Sequence, residues 1–133
     1  MSTKTVADKL MIKPGTAVWI SPAEHRSRIG PLPEGSSIVE DIGDATIGLL
    51  FAQGAAAARE LLTANRDHLT APSILWVAYQ KGNKADINRD SLWPILVEFG
   101  MRPNGQVAVD DIWSALRFRA SKEGEAPFTG GRS

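Results

Sequence analysis

Short, unbroken apolar runs alternate along this chain with segments whose apolar residues recur every three or four positions. Residues 16–21 hold Ala17, Val18, Trp19 and Ile20 without a polar interruption, after the turn-forming Lys13-Pro14-Gly15. A run so short and continuous predicts a strand covered on both faces. Residues 46–52, with Ile47, Leu49, Leu50 and Phe51, and residues 73–79, with Ile74, Leu75, Trp76, Val77 and Ala78, repeat the pattern. Residues 37–40 predict a shorter strand before the Gly43-Asp44 turn. A helix is expected over 55–69, where Ala58, Leu61, Leu62, Asn65 and Leu69 keep helical spacing among strong helix formers until Pro72 stops it. A second helix should start at residue 90 or 91, with Leu92, Ile95, Leu96 and Phe99 on one face and Gly100 as its stop. That start places Pro94 in the first turn, where proline is tolerated. A short helix over 5–11 should turn Val6, Leu10 and Met11 inward. The stretch between the first two strands holds Pro22, Gly30, Pro31, Pro33 and Gly35, leaving room for only a turn or two at 23–28. Residues 106–109 and 113–119 alternate as two strands joined through Asp110-Asp111-Ile112. They predict an antiparallel hairpin at a sheet edge, and the periodicity ends near residue 120.

Buried strands alternating with helices give the fold class: α/β, a small doubly wound, mainly parallel sheet with helices on both faces and a C-terminal antiparallel hairpin. A chain of 133 residues supports one core. The expected organisation is a single domain over 1–119 and a disordered tail over 120–133. In such sheets ligands bind beyond the carboxyl ends of the strands at the switch point, which here gathers residues 21–28, 53–54 and 80–89.

Charge narrows the partners. Fifteen Lys plus Arg balance fifteen Asp plus Glu, so no broad electrostatic attraction to nucleic acid or membrane is expected. Only Arg117-Phe118-Arg119-Ala120-Ser121-Lys122 argues for nucleic acid. No cysteine is present, which excludes disulfides, thiolate catalysis and cysteine-based metal sites. The N-terminal segment lacks the apolar core of a signal peptide, and no apolar run approaches the ~18 residues of a membrane span. The chain is expected to work in the cytoplasm.

The loop after the first strand reads Ser21-Pro22-Ala23-Glu24-His25, without the glycines that bring backbone amides close to a dinucleotide. G-x-G-x-x-G, G-x-x-x-x-G-K-[ST] and G-x-S-x-G are all missing from the sequence. Glu40 and Asp41 end the second strand, where a carboxylate could hold a ribose or an aspartate could form a turn. His68 suits the C-terminal end of a helix as a cation. His25, between Glu24 and Arg26 at the mouth, is either a general base or anion contact, or a solvated loop residue. Lys81, Lys84 and Arg89 follow a buried strand and offer anion contacts, while Asp86 and Asn88 suit helix capping. Trp19 and Trp76 read as core. Trp113 can serve the core, a ligand or an interface, with Arg117 and Arg119 on its strand face.

The segments IKPGTAVWI, ILWVAYQKGNKADINRD and VAVDDIWSALRFR, in that order, resemble a bacterial domain-of-unknown-function family, number thirty fifty-two, over about residues 9 to 119. That family implies no activity. The chain is also similar to class I methyltransferases, whose sheet likewise closes with a helix and an antiparallel hairpin. SPAEHRSRIG stands in place of their glycine-rich loop, so the likeness implies a reduced relative with no cofactor. Two readings follow. One is a non-enzymatic module that binds a protein partner or a second copy through the edge carrying Trp113 and Arg117. The other is a binder or enzyme for a small anionic ligand held by Lys81, Arg89 and His25, with Glu24 or Asp86 as acid or base.

Overall fold

The computed structural model describes residues 6–21, 23–30, 32–69, 71–81 and 89–120. Six strands, β1 (Ala17–Ser21), β2 (Ser37–Ile38), β3 (Ile47–Phe51), β4 (Ile74–Gln80), β5 (Met101–Ala108) and β6 (Trp113–Ala120), form one sheet in the order β2-β1-β3-β4-β6-β5. The first four are mutually parallel, and β6 runs antiparallel to both β4 and β5. The sheet is therefore α/β, doubly wound and closed by an antiparallel pair. Its direction of growth reverses at β1, which places the switch point between the carboxyl ends of β1 and β3.

Helices α2 (Ala55–Ala64) and α3 (Arg89–Glu98) cover one face. Ala58, Leu62, Leu92, Ile95 and Leu96 pack there on Trp19, Leu50, Leu75, Val77, Leu116 and Phe118. Helices of ten residues are marginal alone, so this burial holds them. The other face is covered by α1 (Val6–Lys9), Ile29 and the 3-10 turn Ala23–Arg28, over Val18, Ile20, Leu49, Phe51, Trp76 and Trp113. Trp76 Nε1 donates to the carbonyl of Leu10 at 3.0 Å and ties the N-terminal segment to the sheet.

Several boundaries differ from the sequence reading. The helix expected over 5–11 ends at Lys9, because Met11 adopts φ 66° and the Ile12 amide folds back onto Ala7 O at 2.9 Å. Met11 is 40% exposed rather than turned inward. The helix expected over 55–69 breaks at Asn65, whose Nδ2 donates to Leu61 O at 2.8 Å and competes with the helical ladder. A separate 3-10 turn, Arg66–His68, follows and carries His68. Helix α3 begins at Arg89, so Pro94 lies inside it and not in its first turn. Strand β5 begins at Met101, directly after Gly100 (φ 79°), rather than at 106, and a register irregularity between Pro103 and Gly105 absorbs the strand-breaking residues. The hairpin is also oriented differently from expectation. β5 is the edge strand and β6 sits inside the sheet, so Trp113 does not begin an edge strand. Ala120 is the last residue of β6, and residues 121–133 of the expected tail lie outside the described residues.

Candidate functional site at the switch point

Strand register brings three elements to one end of the sheet. Ser21 pairs with Leu50, Phe51 with Ala78, and Gln80 with Trp113, so the carboxyl ends of β1, β3 and β4 meet the start of β6. Trp113 is fixed there by Asp110, whose Oδ1 accepts the amides of Ile112 and Trp113 at 2.8 Å each. Asp110 is thus a turn former, as its place between the two strands predicts.

The loop after β1 folds into this end. Its 3-10 turn carries His25 inward, where the imidazole is only 3% exposed. The ring stacks on Phe51 with centroids 4.5 Å apart and planes 10° apart. It meets Trp113 edge-on at 5.2 Å, and Phe51 meets Trp113 edge-on at 5.1 Å. These separations and angles are the offset-stacked and T-shaped arrangements that aromatic quadrupoles favour. Gln53 Nε2, which can only donate, lies 3.4 Å from His25 Nε2. One ring face and Nε2 of His25 are engaged by Phe51 and Gln53, and Trp113 packs against the ring edge-on.

The next residue repeats the theme. Arg26 Nη2 bonds Glu40 Oε1 at 3.0 Å, so the carboxylate at the end of β2 faces a guanidinium from the same loop. Asp41 accepts the Gly43 amide at 2.9 Å and caps the 3-10 turn Ile42–Asp44. Asp41 is thus a turn former, and Glu40 pairs with Arg26 at the surface.

The remaining candidates are distributed around this end. Glu24 is exposed on the outer side of the 3-10 turn. Lys81 follows β4, half-buried, and its amide donates to Ile112 O at 2.8 Å, which seats it beside the start of β6. Arg89 opens α3, but its side chain lies outside the described residues, as does Asp86 altogether. Trp113 is 1% exposed and packs on His25 and Phe51, so its ring is not offered to a partner. Arg117 lies farther along β6, over Trp76. Sequence reasoning brought His25, Gln53 and the carboxyl end of β4 to one place but missed Phe51 as the floor and Arg26 as the partner of Glu40. The sign was available: Phe51 is the last apolar residue of its run, at the carboxyl end.

No family model and no curated protein matches the chain. Its fold is shared with solved structures. A protein of the NADB-Rossmann superfamily from Streptococcus agalactiae superposes with a TM-score of 0.60 at 9% identity, covering 97% of this chain and 72% of that one. The Bacillus subtilis tRNA methyltransferase TrmK superposes with a TM-score of 0.55 at 11% identity, covering 95% of this chain and 71% of that one. These likenesses show a Rossmann-like fold resembling methyltransferases. Such a fold implies adenosylmethionine at the switch point, and the residues here do not fit it. The loop that should present backbone amides instead carries a buried imidazole onto the end of β3, and Glu40 is engaged by Arg26. Among the described residues no group of three His, Cys, Asp or Glu side chains is placed to hold a metal ion, and no helix is long and apolar enough to cross a membrane.

Proposed function

We propose that the chain is a non-enzymatic binding or interaction module built on a degenerate methyltransferase-like fold. The observation that carries this reading is His25, 3% exposed and stacked on Phe51 at the switch point. A cofactor crevice must be open and lined by groups that gain partners when the ligand arrives. Here the loop after β1 already supplies those partners from within the chain. The rival reading needs His25 to hold an anion together with Lys81, and an imidazole that is 3% exposed, stacked on Phe51 and set edge-on to Trp113, is poorly placed for that.

Thermal unfolding of the purified protein tests the reading, because a ligand that binds only the folded state raises the midpoint. S-adenosylmethionine, S-adenosylhomocysteine, nucleotides and phosphorylated metabolites are expected to leave it unchanged. A rise of several degrees with any of them would return the crevice to the status of a working site. Sedimentation then distinguishes a self-associating module from one that takes a different protein.

A further inference from the structure

The N-terminal segment carries one residue in an unusual conformation and an unusual contact. Helix α1 ends at Lys9, and Met11 then takes the φ of 66° that lets the Ile12 amide reach back to Ala7 O at 2.9 Å. Among the described residues it is the only one other than glycine with a positive φ. An L side chain rarely adopts that region, so surrounding contacts must hold it there. Leu10 and Ile12, on either side, are buried with Ala7 in the core that holds Val18, Leu49 and Trp76. Met11 between them turns outward and is 40% exposed.

The sulfur of Met11 has a defined partner. Sδ accepts a hydrogen bond from Arg117 Nη1 at 2.9 Å, which ties the segment to β6. Arg117 is fixed by its other groups. Nε donates to Asn104 Oδ1 at 3.1 Å, Nη2 donates to Asn104 O at 3.0 Å, and the guanidinium lies 5.9 Å from the Trp76 ring centroid. Gly105 leaves room for it, since a Cβ there would lie 3.1 Å from Arg117 Nε. A thioether sulfur has two lone pairs. One of them faces this anchored guanidinium, and the other is left to a reagent arriving from solvent.

We propose that Met11 is a reversible oxidation site, at which hydrogen peroxide converts the thioether to a single sulfoxide epimer and thereby unties the N-terminal segment from Arg117. The free lone pair attacks one peroxide oxygen. The S–O bond forms as the O–O bond breaks, sulfur gives up two electrons, and the second oxygen leaves as water. Because Arg117 covers the other lone pair, oxygen is delivered to one side of the sulfur. The product is a polar, chiral side chain whose sulfur is a poorer acceptor, so the contact holding Met11 at positive φ is lost. A sulfoxide reductase specific for that epimer restores the thioether. Met101, 2% exposed in the core, offers peroxide no comparable access. Arg117 pairs with Trp76 in the middle of β4, away from Gln80 and the crevice, so this proposal goes beyond the function proposed above and does not depend on it.

Limited oxidation of the whole folded chain with hydrogen peroxide, followed by digestion and mass spectrometry of the peptides carrying Met11 and Met101, tests it. Met11 is expected to oxidise about tenfold faster than Met101. Treating the Met11 peptide with the two epimer-specific reductases should reveal one epimer in about fourfold excess or more. The excess should vanish when the natural chain is oxidised in concentrated urea, and when Arg117→Gln is oxidised folded. The oxidised natural chain should unfold about 3 °C lower than the untreated one, whereas Met11→Leu should show no drop after the same treatment. Equal epimers from the folded natural chain, or an unchanged midpoint once Met11 is oxidised, overturns the proposal. So does an equal drop in Met11→Leu, which would place the damage elsewhere, or an epimer excess undiminished in folded Arg117→Gln. The urea comparison uses the natural chain and so decides the matter even where Arg117→Gln fails to fold.

Discussion

His25 shows how sheet register can bury a polar loop side chain at the end of a sheet. It fills an aromatic corner with Phe51 and Trp113, and close packing there leaves its removal as an uncompensated hole. His25→Ala is expected to destabilise the fold by roughly 2–4 kcal/mol, the range for deleting a buried ring together with its aromatic contacts. Urea denaturation measures this. Free imidazole at millimolar concentration should recover part of the loss by entering the space, which a general loss of loop structure would not permit. Failure of imidazole to rescue would mean that the ring holds the loop only through its covalent attachment. The burial of His25 was hard to see in the sequence. AEHRSR has no apolar periodicity, and a polar stretch between Pro22 and Gly30 reads as a solvated loop. What buries the ring is a pair of aromatics contributed by β3 and β6, and that meeting is fixed by sheet register rather than by anything local. Phe51 itself was legible as core; only its role as a floor was not.

At the scale of elements, α2 and α3 are joined across their exposed sides by a bidentate ion pair. Arg59 Nη1 bonds Glu98 Oε1 at 2.6 Å and Nη2 bonds Oε2 at 2.9 Å. Hydrogen bonding from Arg59 holds the Glu98 carboxyl below the usual carboxylate range, and the same bond raises the Arg59 guanidinium. A carboxyl whose pKa is lower in the folded state binds fewer protons there than in the unfolded chain. Its contribution to stability is therefore complete above the unfolded value and is lost as pH falls through the folded one. Both side chains are solvent-exposed, so the effect is small and screened by salt. Glu98→Gln is expected to lower the urea midpoint slightly at pH 7 and not at all near pH 2–3; an equal loss at both pH values would attribute it to packing. Pro94 offers a second test on α3. Lying inside the helix, it leaves the Asp90 carbonyl without its helical donor. Pro94→Ala should raise stability by about 2–2.5 kcal/mol, the ~3 kcal/mol cost of an interior proline less the unfolded-chain entropy that proline removes. A fall in the urea midpoint would show that the ring's packing outweighs the missing bond. Elements of this kind were largely legible. The apolar runs of β1, β3 and β4 fall within a residue or two of their predicted bounds, because strands buried on both faces leave an unbroken signature. Boundaries failed where one residue overrode the pattern: Asn65 bonding back to Leu61, Met11 with positive φ, and the irregularity that lets β5 pass through Pro103-Asn104-Gly105.

For the whole molecule, the fold class follows from alternating buried strands and helices, but the position of β6 between β4 and β5 had to be seen. A physical signal for it existed. Trp113 and Ala115 face one side of β6 and Leu116 and Phe118 the other, so that strand is apolar on both faces, whereas β5 has polar residues through its middle. The strand with two apolar faces gains more from an interior place. The same whole-molecule view separates fold from activity. TrmK is a tRNA methyltransferase and shares the fold at a TM-score of 0.55, yet this chain balances fifteen basic against fifteen acidic residues. Affinity for nucleic acid is dominated by counterions released at each phosphate contact. The three arginines of the hairpin could neutralise three phosphates, giving a salt slope of only about −2 on a single strand. Gel-shift titration of tRNA against the chain in about 150 mM salt is therefore expected to show no complex at micromolar protein, the non-specific regime in which even basic proteins bind weakly. A tight complex whose affinity fell steeply with added salt would require a phosphate track far longer than these arginines provide. It would place the function of this molecule nearer to its structural neighbour than its charge balance predicts.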